Sequence, residues 1–556
     1  MLRPGQLRWT AAREWWSSFW GEDVLGKRSL AGIAGIVAVA TLLSKVFGLL
    51  RETAIAAAFG TGPVTDAYSI SYVIPGFLLI LLGGINGPFH SAIVSVVAKR
   101  KKEDIAPLVE TVTTLVGIAL AVASVVLIVF ADPIIGFLGQ GFSATEVGLE
   151  SRAIAVAQLR IMAPITLFAG FIGIGFGTLN AADQYWLPSI SPLLSSSAVM
   201  VCLGVLWLFL GADMSDPRNL MLGGMVLAVG SLVGAVLQWL IQVPALWKSG
   251  LGRPRLGFRI ADPGVRDVLK VLGPATFSSG TMQINVYTDL YFAAFVPGTL
   301  AALNFANLLV QAPLGIVSNI ILVPFLPIFS RLAAPTQWPA LKQRIRQSLV
   351  LVALTMLPLS ALIVTLAKPI VTVVYERGAF DDDAVQLVTA MLIAYGSGMF
   401  VYLARDVMVR VFYALGDGQT PFNISLANIV TNAVLDYLFF NWIGPPGLVV
   451  ATIGVNVVSL LAMTILLARK IDGLPVGEWA KTIVMLVAAS VVSGVFCWLT
   501  QGGLASIIGS EGFLPNLVQM CVAGAVGLAS FGLLTVILKV PEADILAQRI
   551  RAKLGR

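Results

Sequence analysis

Long apolar runs recur from residue 30 to residue 539 of this 556-residue chain, broken only by short charged or Gly/Pro-containing connections. Crossing a bilayer takes about 20 such residues per helix. The hydrocarbon offers unpaired amides no water, so each run must close its own backbone hydrogen bonds as a helix. Bounded by charge, Gly or Pro, the first half reads as spans over 30–58, 64–98, 105–131, 152–181, 186–211 and 219–247. The second half reads as 265–296, 299–331, 345–367, 384–413, 420–442, 447–469, 479–500 and 513–539. The expected fold is an all-α polytopic membrane protein of about 14 transmembrane helices. Charged residues make up 12% of the chain, about half the share of a soluble domain, which excludes a soluble enzyme. Cys202, Cys497 and Cys521 each lie in an apolar run and His90 is the one imidazole, so neither disulfides nor a metal site is indicated. The net charge of +7 suits basic cytoplasmic loops rather than nucleic acid.

Charge alternates between connections. Basic residues precede the first span (Arg3, Arg8, Arg13, Lys27, Arg28), follow the second (Lys99, Arg100, Lys101, Lys102) and precede the seventh (Lys248, Arg253, Arg255, Arg259, Arg266). They return at Arg331, Lys342, Arg344 and Arg346, at Arg469 and Lys470, and in the tail at Arg549, Arg551 and Lys553. The intervening connections carry Asp132, Glu146 and Glu150, then Asp213 and Asp216, then Asp381, Asp382 and Asp383, then Glu511. By the positive-inside rule both termini are cytoplasmic. Residues 1–28 lack the apolar core of a signal peptide. There Trp9, Trp15, Trp16, Phe19 and Trp20 mix with Arg8, Arg13 and Glu14, which reads as an amphipathic helix on the inner membrane face, or as a partner-binding segment.

Two stretches share a layout, 56–77 and 293–315. In each, an apolar helix ends in a Gly/Pro turn, followed by an aromatic (Tyr68, Phe305), a Pro (Pro75, Pro313) and a later Pro (Pro88, Pro324) before a basic end. Both run in the same direction, as parallel repeats do. The organisation that follows is an N-lobe of six helices (29–248), a C-lobe of six (249–470), two further helices (471–540) and a cytoplasmic tail (541–556). Two lobes around a cavity imply rocking between states open to either side, and Pro inside a span offers a bend.

Charges inside spans are costly and face cavities or partners. Lys45, Arg51 and Glu52 lie in the first helix. Lys45 and Glu52 share a face, about 20° from eclipsed. A bend near Gly48 would bring Arg51 to them; two cations against one carboxylate suit phosphate, which Arg grips bidentately, whereas a plain ion pair is the alternative. Asp66 opens the second helix as a cap or a gate residue. Asn86 and His90 share one face of that helix, and a lone His is more often structural. Gln283, Asn285, Asp289, Asn304, Asn307 and Gln311 mark the seventh and eighth spans, the last three as an i, i+3, i+7 stripe. Interhelical hydrogen bonding or a sugar-lined wall explains the stripe. Asp289 needs a partner, Lys45 or Arg51, or a coupling cation. Asp406 and Arg410 read as an i, i+4 pair.

The first two spans carry Ser44-Lys45-Val46-Phe47-Gly48, Arg51-Glu52, Phe59-Gly60, Asp66-Ala67-Tyr68 and Pro75. LRIMAP (159–164), LNAADQYWLPSISP (179–192), LGPATFSSGTMQIN (272–285), LNFANLLVQAPLG (303–315), ERGAFD (376–381), AYGSGMF (394–400) and VFYALGDGQTP (411–421) follow, with Asn423, Asn428 and Asn432. In these segments the chain resembles the MurJ/MviN family of lipid II flippases in the multidrug/oligosaccharidyl-lipid/polysaccharide exporter superfamily. The resemblance implies a bacterial cytoplasmic-membrane flippase that moves undecaprenyl-pyrophosphate-linked peptidoglycan precursor by alternating access. It implies that the last two helices hold the polyprenyl tail while cavity cations grip the pyrophosphate. Carried over, Lys45 replaces a family Arg, Arg51 keeps one, Glu52 replaces an Asp and Asp66 keeps one. Two departures stand out. No Lys or Arg lies between Asp66 and Lys99, and Ala306-Asn307-Leu308 lacks the family's Arg; Arg160 or His90 is the candidate replacement.

The absence of a GxxxxGK[ST] motif in the sequence leaves membrane potential or an ion gradient as the driving force, with Glu52, Asp66 and Asp289 as candidate carriers and no cofactor. The expected protein is a monomer, with membrane lipids and cell-wall synthesis proteins as partners. Alternatives are a flippase for another polyprenyl-linked saccharide, a cation-coupled drug exporter, which predicts a net acidic cavity, and a membrane enzyme acting on lipids, which needs clustered acids or several His.

Overall fold

The computed structural model describes residues 30–83, 93–94, 96–97, 100, 102–259, 261–270 and 284–538. Nine helices among them are long and apolar enough to cross a membrane, and two bent pairs bring the number to eleven. Leu30–Phe59, Gln419–Ile443 and Ile284–Ala293 lie in the three remaining expected spans. Gln419–Ile443 is less apolar because Asn423, Asn428, Asn432 and Asp436 lie along it.

In chain order the helices are α1 (Leu30–Phe59), α2 (Pro63–Ser71), α3 (Val73–Gly83), α4 (Lys102–Val129), α5 (Ala131–Leu138), α6 (Glu146–Met162) and α7 (Ile165–Ala181). Next come α8 (Trp186–Leu210), α9 (Leu220–Leu240), α10 (Val243–Lys248), α11 (Ile284–Ala293), α12 (Thr299–Val317) and α13 (Val323–Arg331). Last are α14 (Trp338–Thr365), α15 (Ala367–Tyr375), α16 (Asp382–Ala414), α17 (Gln419–Ile443), α18 (Pro446–Lys470), α19 (Val476–Ile508) and α20 (Phe513–Ile537).

The second span breaks by 44° between α2 and α3, just before Pro75, and the fourth by 41° between α6 and α7, at Pro164. The eighth carries a π-helical turn, Ser318–Leu322, between Pro313 and Pro324. Each interruption sits where a proline removes an amide from the ladder.

Duplication is visible in the packing. In the first half α1 packs on α8, α8 on α9, α2 on α6, α6 on α9 and α4 on α7. In the second half the same relations recur as α11 on α17, α17 on α18, α12 on α16, α16 on α18 and α14 on α16. The last two helices pack on each other and on the second half, α19 against α14 and α20 against α15. Leu486, Ala489 and Phe531 bury against Val350, Ala353, Leu354 and Leu357. Ser493 Oγ donates to the Gly527 carbonyl at 2.6 Å, the close small-residue contact that lets membrane helices approach.

The connections bearing Asp132, Glu146, Asp213 and Asp381 gather at one end of the bundle, and those bearing Arg100, Arg255, Arg331 and Arg469 at the other. They are called here the acidic and the basic end.

Candidate functional site

α1 passes through Gly48 as one uninterrupted helix, so no break gathers its three charges. Arg51 instead reaches its own neighbour: Nε and Nη2 both donate to Glu52 Oε1, with Nε at 3.0 Å. This is the ion-pair alternative, and it leaves Lys45 as the cation of α1 with no ion pair among the described residues. Lys45 is exposed along the helix, and its Nζ lies 3.2 Å from where a Cβ on Gly315 of α12 would sit. The α1 cation thus crosses from the first six-helix group to the second.

Asp66 is 2% exposed and also crosses. Its carboxylate accepts from the Gly298 N–H at 2.6 Å and the Ala301 N–H at 2.9 Å. These amides open α12, where backbone donors have no helical partner. Ser69, one turn further along α2, receives the Asn304 amide at 3.1 Å. Asn304 and Gln311 are exposed and Asn307 half-buried, while Leu303, Phe305, Ala306, Val310 and Leu314 are buried. The polar stripe of α12 therefore faces open space.

A second tie at the acidic end comes from the 376–381 loop. The Ala379 N–H donates to the Ala57 carbonyl at 2.9 Å. A Cβ on Gly378 would stand 2.3 Å from that oxygen, and one on Gly60 2.4 Å from the Ala379 oxygen; both residues have positive φ (+61° and +58°). Only glycine allows this approach. Phe380 is buried against Phe305 and Tyr375, and Asp381 accepts from the Ala384 N–H at 2.9 Å to cap α16. The loop most specific to the resemblance is thus a piece of the seal. Gly141, in the connection before α6, packs equally close to Phe295, and Tyr291 Oη donates to Gln140 Oε1 at 3.0 Å.

Asp289 does not pair with Lys45 or Arg51. It sits within the second group, where Asn432 Nδ2 donates to Asp289 Oδ1 at 2.8 Å and to Asp436 Oδ2 at 2.7 Å. Asp436 is fully buried, and its Oδ1 has no hydrogen-bond partner among the described residues. Two carboxylates bridged by one amide within the span repel each other, and the Asn432 amide is the group set between them. Glu52 and Asp66, the other candidate carriers, are already engaged by Arg51 and by the α12 amides. Asp436 was missed from the sequence, although Asn428, Asn432 and Asp436 form an i, i+4, i+8 stripe in an apolar span.

Arg160 does not join Lys45. Gln158, two residues earlier, faces inward to Ser71 (3.1 Å) and the Gly224 carbonyl (3.1 Å). Two residues is about 200° of turn, so Arg160 is exposed on the far side of α6, beside Asp132 and Arg152. Asp406 pairs with Arg405 (3.5 Å) rather than with Arg410. Asn86, His90 and Gln283 lie outside the described residues, as does the side chain of Asn285.

A family model described as lipid II flippase MurJ matches residues 55–510. The chain belongs to the MurJ family. A Synechocystis sp. MurJ, described as a probable lipid II flippase, is 53% identical over 529 residues, covering 95% of this chain and 98% of that protein. The Burkholderia cenocepacia lipid II flippase MurJ is 30% identical over 486 residues, covering 85% and 89%. A solved structure of lipid II flippase MurJ in an inward closed conformation superposes with a TM-score of 0.71 at 20% identity, covering 91% of this chain and 99% of that one. An inward-facing MATE-family transporter of the MOP superfamily gives 0.60 at 16% identity, with 79% and 98% covered. Those structures establish the fold, and the fold with its spans makes this MurJ chain an integral membrane protein.

Proposed function

We propose that the chain is a transporter, not an enzyme, which flips lipid II from the inner to the outer leaflet of the bacterial cytoplasmic membrane by alternating access. The observation that carries this reading, beside family membership, is the position of Lys45: a cation of one helix group lying against α12 of the other, below an end sealed by Asp66 and the 376–381 loop. With the basic end cytoplasmic, the sealed end is the outer one. Lys45 takes the diphosphate; Asn304, Asn307 and Gln311 offer amides to the sugars.

The polyprenyl tail stays in the bilayer, because about 0.8 kcal/mol per CH₂ opposes its entry into water. Exposed apolar residues on α19 and α20 (Val484, Val491 and Trp498; Val522 and Leu533) suit a groove for it. Asp289, Asn432 and Asp436 hold the coupling cation or proton, and no ATP is used. The chain acts as a monomer with both termini cytoplasmic, alongside cell-wall synthesis proteins.

A second reading keeps the fold and changes the cargo to another polyprenyl-linked saccharide. It is favoured by the missing basic residues between Asp66 and Lys99 and at Asn307. Depletion in the native host decides between them. Accumulation of undecaprenyl-linked disaccharide peptide on the inner leaflet supports lipid II; accumulation of a different glycan selects the second reading.

A further inference from the structure

The connection between the two helix groups carries a surface that the transport reading does not use. Residues 251–259 form no helix, yet α4 holds them by one face. The Arg253 N–H donates to Glu110 Oε1 at 2.9 Å, the Gly257 N–H to Thr114 Oγ1 at 2.9 Å and the Arg259 N–H to Thr111 Oγ1 at 3.4 Å. Glycine is required for the approach, since a Cβ on Gly257 would stand 2.8 Å from the Thr111 nitrogen. Leu251 is buried with Val109, Val112 and Val116. Beyond the strap, Arg100 grips Asp262 with both terminal nitrogens, at 3.0 and 2.6 Å, and this guanidinium holds the Asp262 carboxyl below its usual range.

What the strap turns outward does not suit water. Leu256 is 78% exposed, Phe258 61% and Trp247, at the end of α10, 56%. Arg253, Arg255 and Arg259 are exposed among them, and the Arg253 guanidinium lies 5.7 Å from the Trp247 ring centroid. Thr111 and Thr114 lie roughly 14 and 18 Å along α4 from its first residue, so the strap runs beside the span rather than beyond it. Aromatic and aliphatic side chains interleaved with arginines at this level are the composition of an interfacial anchor. Arginines near an acidic leaflet each add about fivefold to its affinity.

We propose that residues 247–259 form a binding surface for acidic phospholipid headgroups in the leaflet at the basic end, with Arg253, Arg255 and Arg259 on the phosphates and Leu256 and Phe258 in the upper acyl region. The strap joins the two groups, so lipid bound there pins the joint to α4. Movement of the second group then begins beyond Asp262.

The test is amide exchange of residues 251–259 in the full-length chain, in nanodiscs of phosphatidylcholine with and without phosphatidylglycerol. Because it reads exchange and not transport, its outcome is independent of the cargo. Phosphatidylglycerol slows exchange in the wild-type chain, and salt reverses the effect. Arg253→Gln, Arg255→Gln and Arg259→Gln together remove the phosphatidylglycerol increment, roughly a hundredfold in lipid affinity at about fivefold each, while exchange in phosphatidylcholine stays as in the wild type. Equal wild-type exchange in the two bilayers, or an unchanged increment in the triple variant, overturns the proposal. So does inorganic phosphate at matched ionic strength that reproduces the protection in phosphatidylcholine, since the surface would then select the anion and not the membrane. Thr111→Val with Thr114→Val speeds exchange in both bilayers; if it does not, the strap is not held as described and the proposal falls.

Discussion

Replacing Gly378 with Ala imposes two costs that the structure allows to be separated. The first is local. Gly378 has φ +61°, where an alanine costs about 1–2 kcal/mol, and this cost is paid whichever state the transporter occupies. The second exists only while the acidic end is closed, because the new methyl would stand 2.3 Å from the Ala57 oxygen of α1. Relief requires the loop to lift, which breaks the 2.9 Å bond from the Ala379 N–H to that oxygen, about 1 kcal/mol, and disturbs the Phe380 packing. A closed-state penalty of about 1–3 kcal/mol shifts the equilibrium roughly 5- to 150-fold towards the form open at the acidic end. Gly416→Ala is the control: its φ is +73° but nothing lies within 4 Å of its Cβ position. Spin labels at Glu146 and Asp382, exposed at the acidic end on the two groups, report the distribution in nanodiscs. The reasoning is refuted if Gly378→Ala leaves the short-distance population at the wild-type level, or if Gly416→Ala shifts it as much.

Asp66→Asn removes the charge that caps α12 and should shift the same spin-label distribution in the same direction, by about fivefold for about 1 kcal/mol; an unchanged distribution would count against the cap as part of the seal. Lys45→Ala should abolish complementation of a depleted host with insertion unchanged, and Lys45→Arg should restore part of it; full growth with alanine would end the role of Lys45 as the diphosphate contact. Asp289→Asn and Asp436→Asn should each remove any cation- or pH-dependent rise in thermal midpoint, and a rise that survives both substitutions places the coupling ion elsewhere. The Lys470 ammonium, 2.6 Å away, holds the Asp417 carboxyl down to about 2. A depressed carboxyl stabilises above its unfolded value near 4 and loses that contribution as pH falls towards 2. Lys470→Met should therefore cost under about 1 kcal/mol at pH 7, since both groups are partly solvated, and only a small part of that at pH 2, where about half of the carboxyl is protonated, as read by denaturation at the two pH values.

Periodicity and proline made much of this fold legible. The spans follow from hydropathy, and the breaks fall at Pro75, Pro164 and between Pro313 and Pro324. The stripe of Asn304, Asn307 and Gln311 was readable because side chains three, four and seven apart share a face. Partners were not readable. A helical wheel says which way Asp66 points on α2, but not that the start of α12, more than 230 residues away, will be there. It sets Arg51 and Glu52 100° apart, yet an arginine is long enough to wrap around to its neighbour, so the expected three-charge cluster did not form. Asp289 reads as needing Lys45, Arg51 or a coupling cation; neither cation of α1 pairs with it, and the asparagine and acid of α17 that stand beside it are less conspicuous in the sequence than those cations. Arg160 followed from the need for a replacement cation, which says nothing about which face of α6 it occupies.

Asp66 and Lys45, two polar side chains of the first group, reach the same helix of the second. Asp66 holds the first turn of α12 and Lys45 lies against Gly315 near its last, with the amide stripe between them. Displacing α12 along its own axis would carry the Gly298 and Ala301 amides off the carboxylate and slide Gly315 past the ammonium in one movement. On the proposed reading, a diphosphate drawn to Lys45 meets the ammonium beside Gly315 without touching the cap. The cap that Asp66 makes on α12 is a hydrogen-bonded contact of about 1–3 kcal/mol. A ligand that binds one state about a hundredfold better than the other, close to 2.7 kcal/mol, is enough to reverse a preference of that size. A cap of that strength defines a closed state that such a ligand can reverse. This balance requires that α12 move as a unit, and the π-helical turn at Ser318–Leu322 marks where it can part from α13.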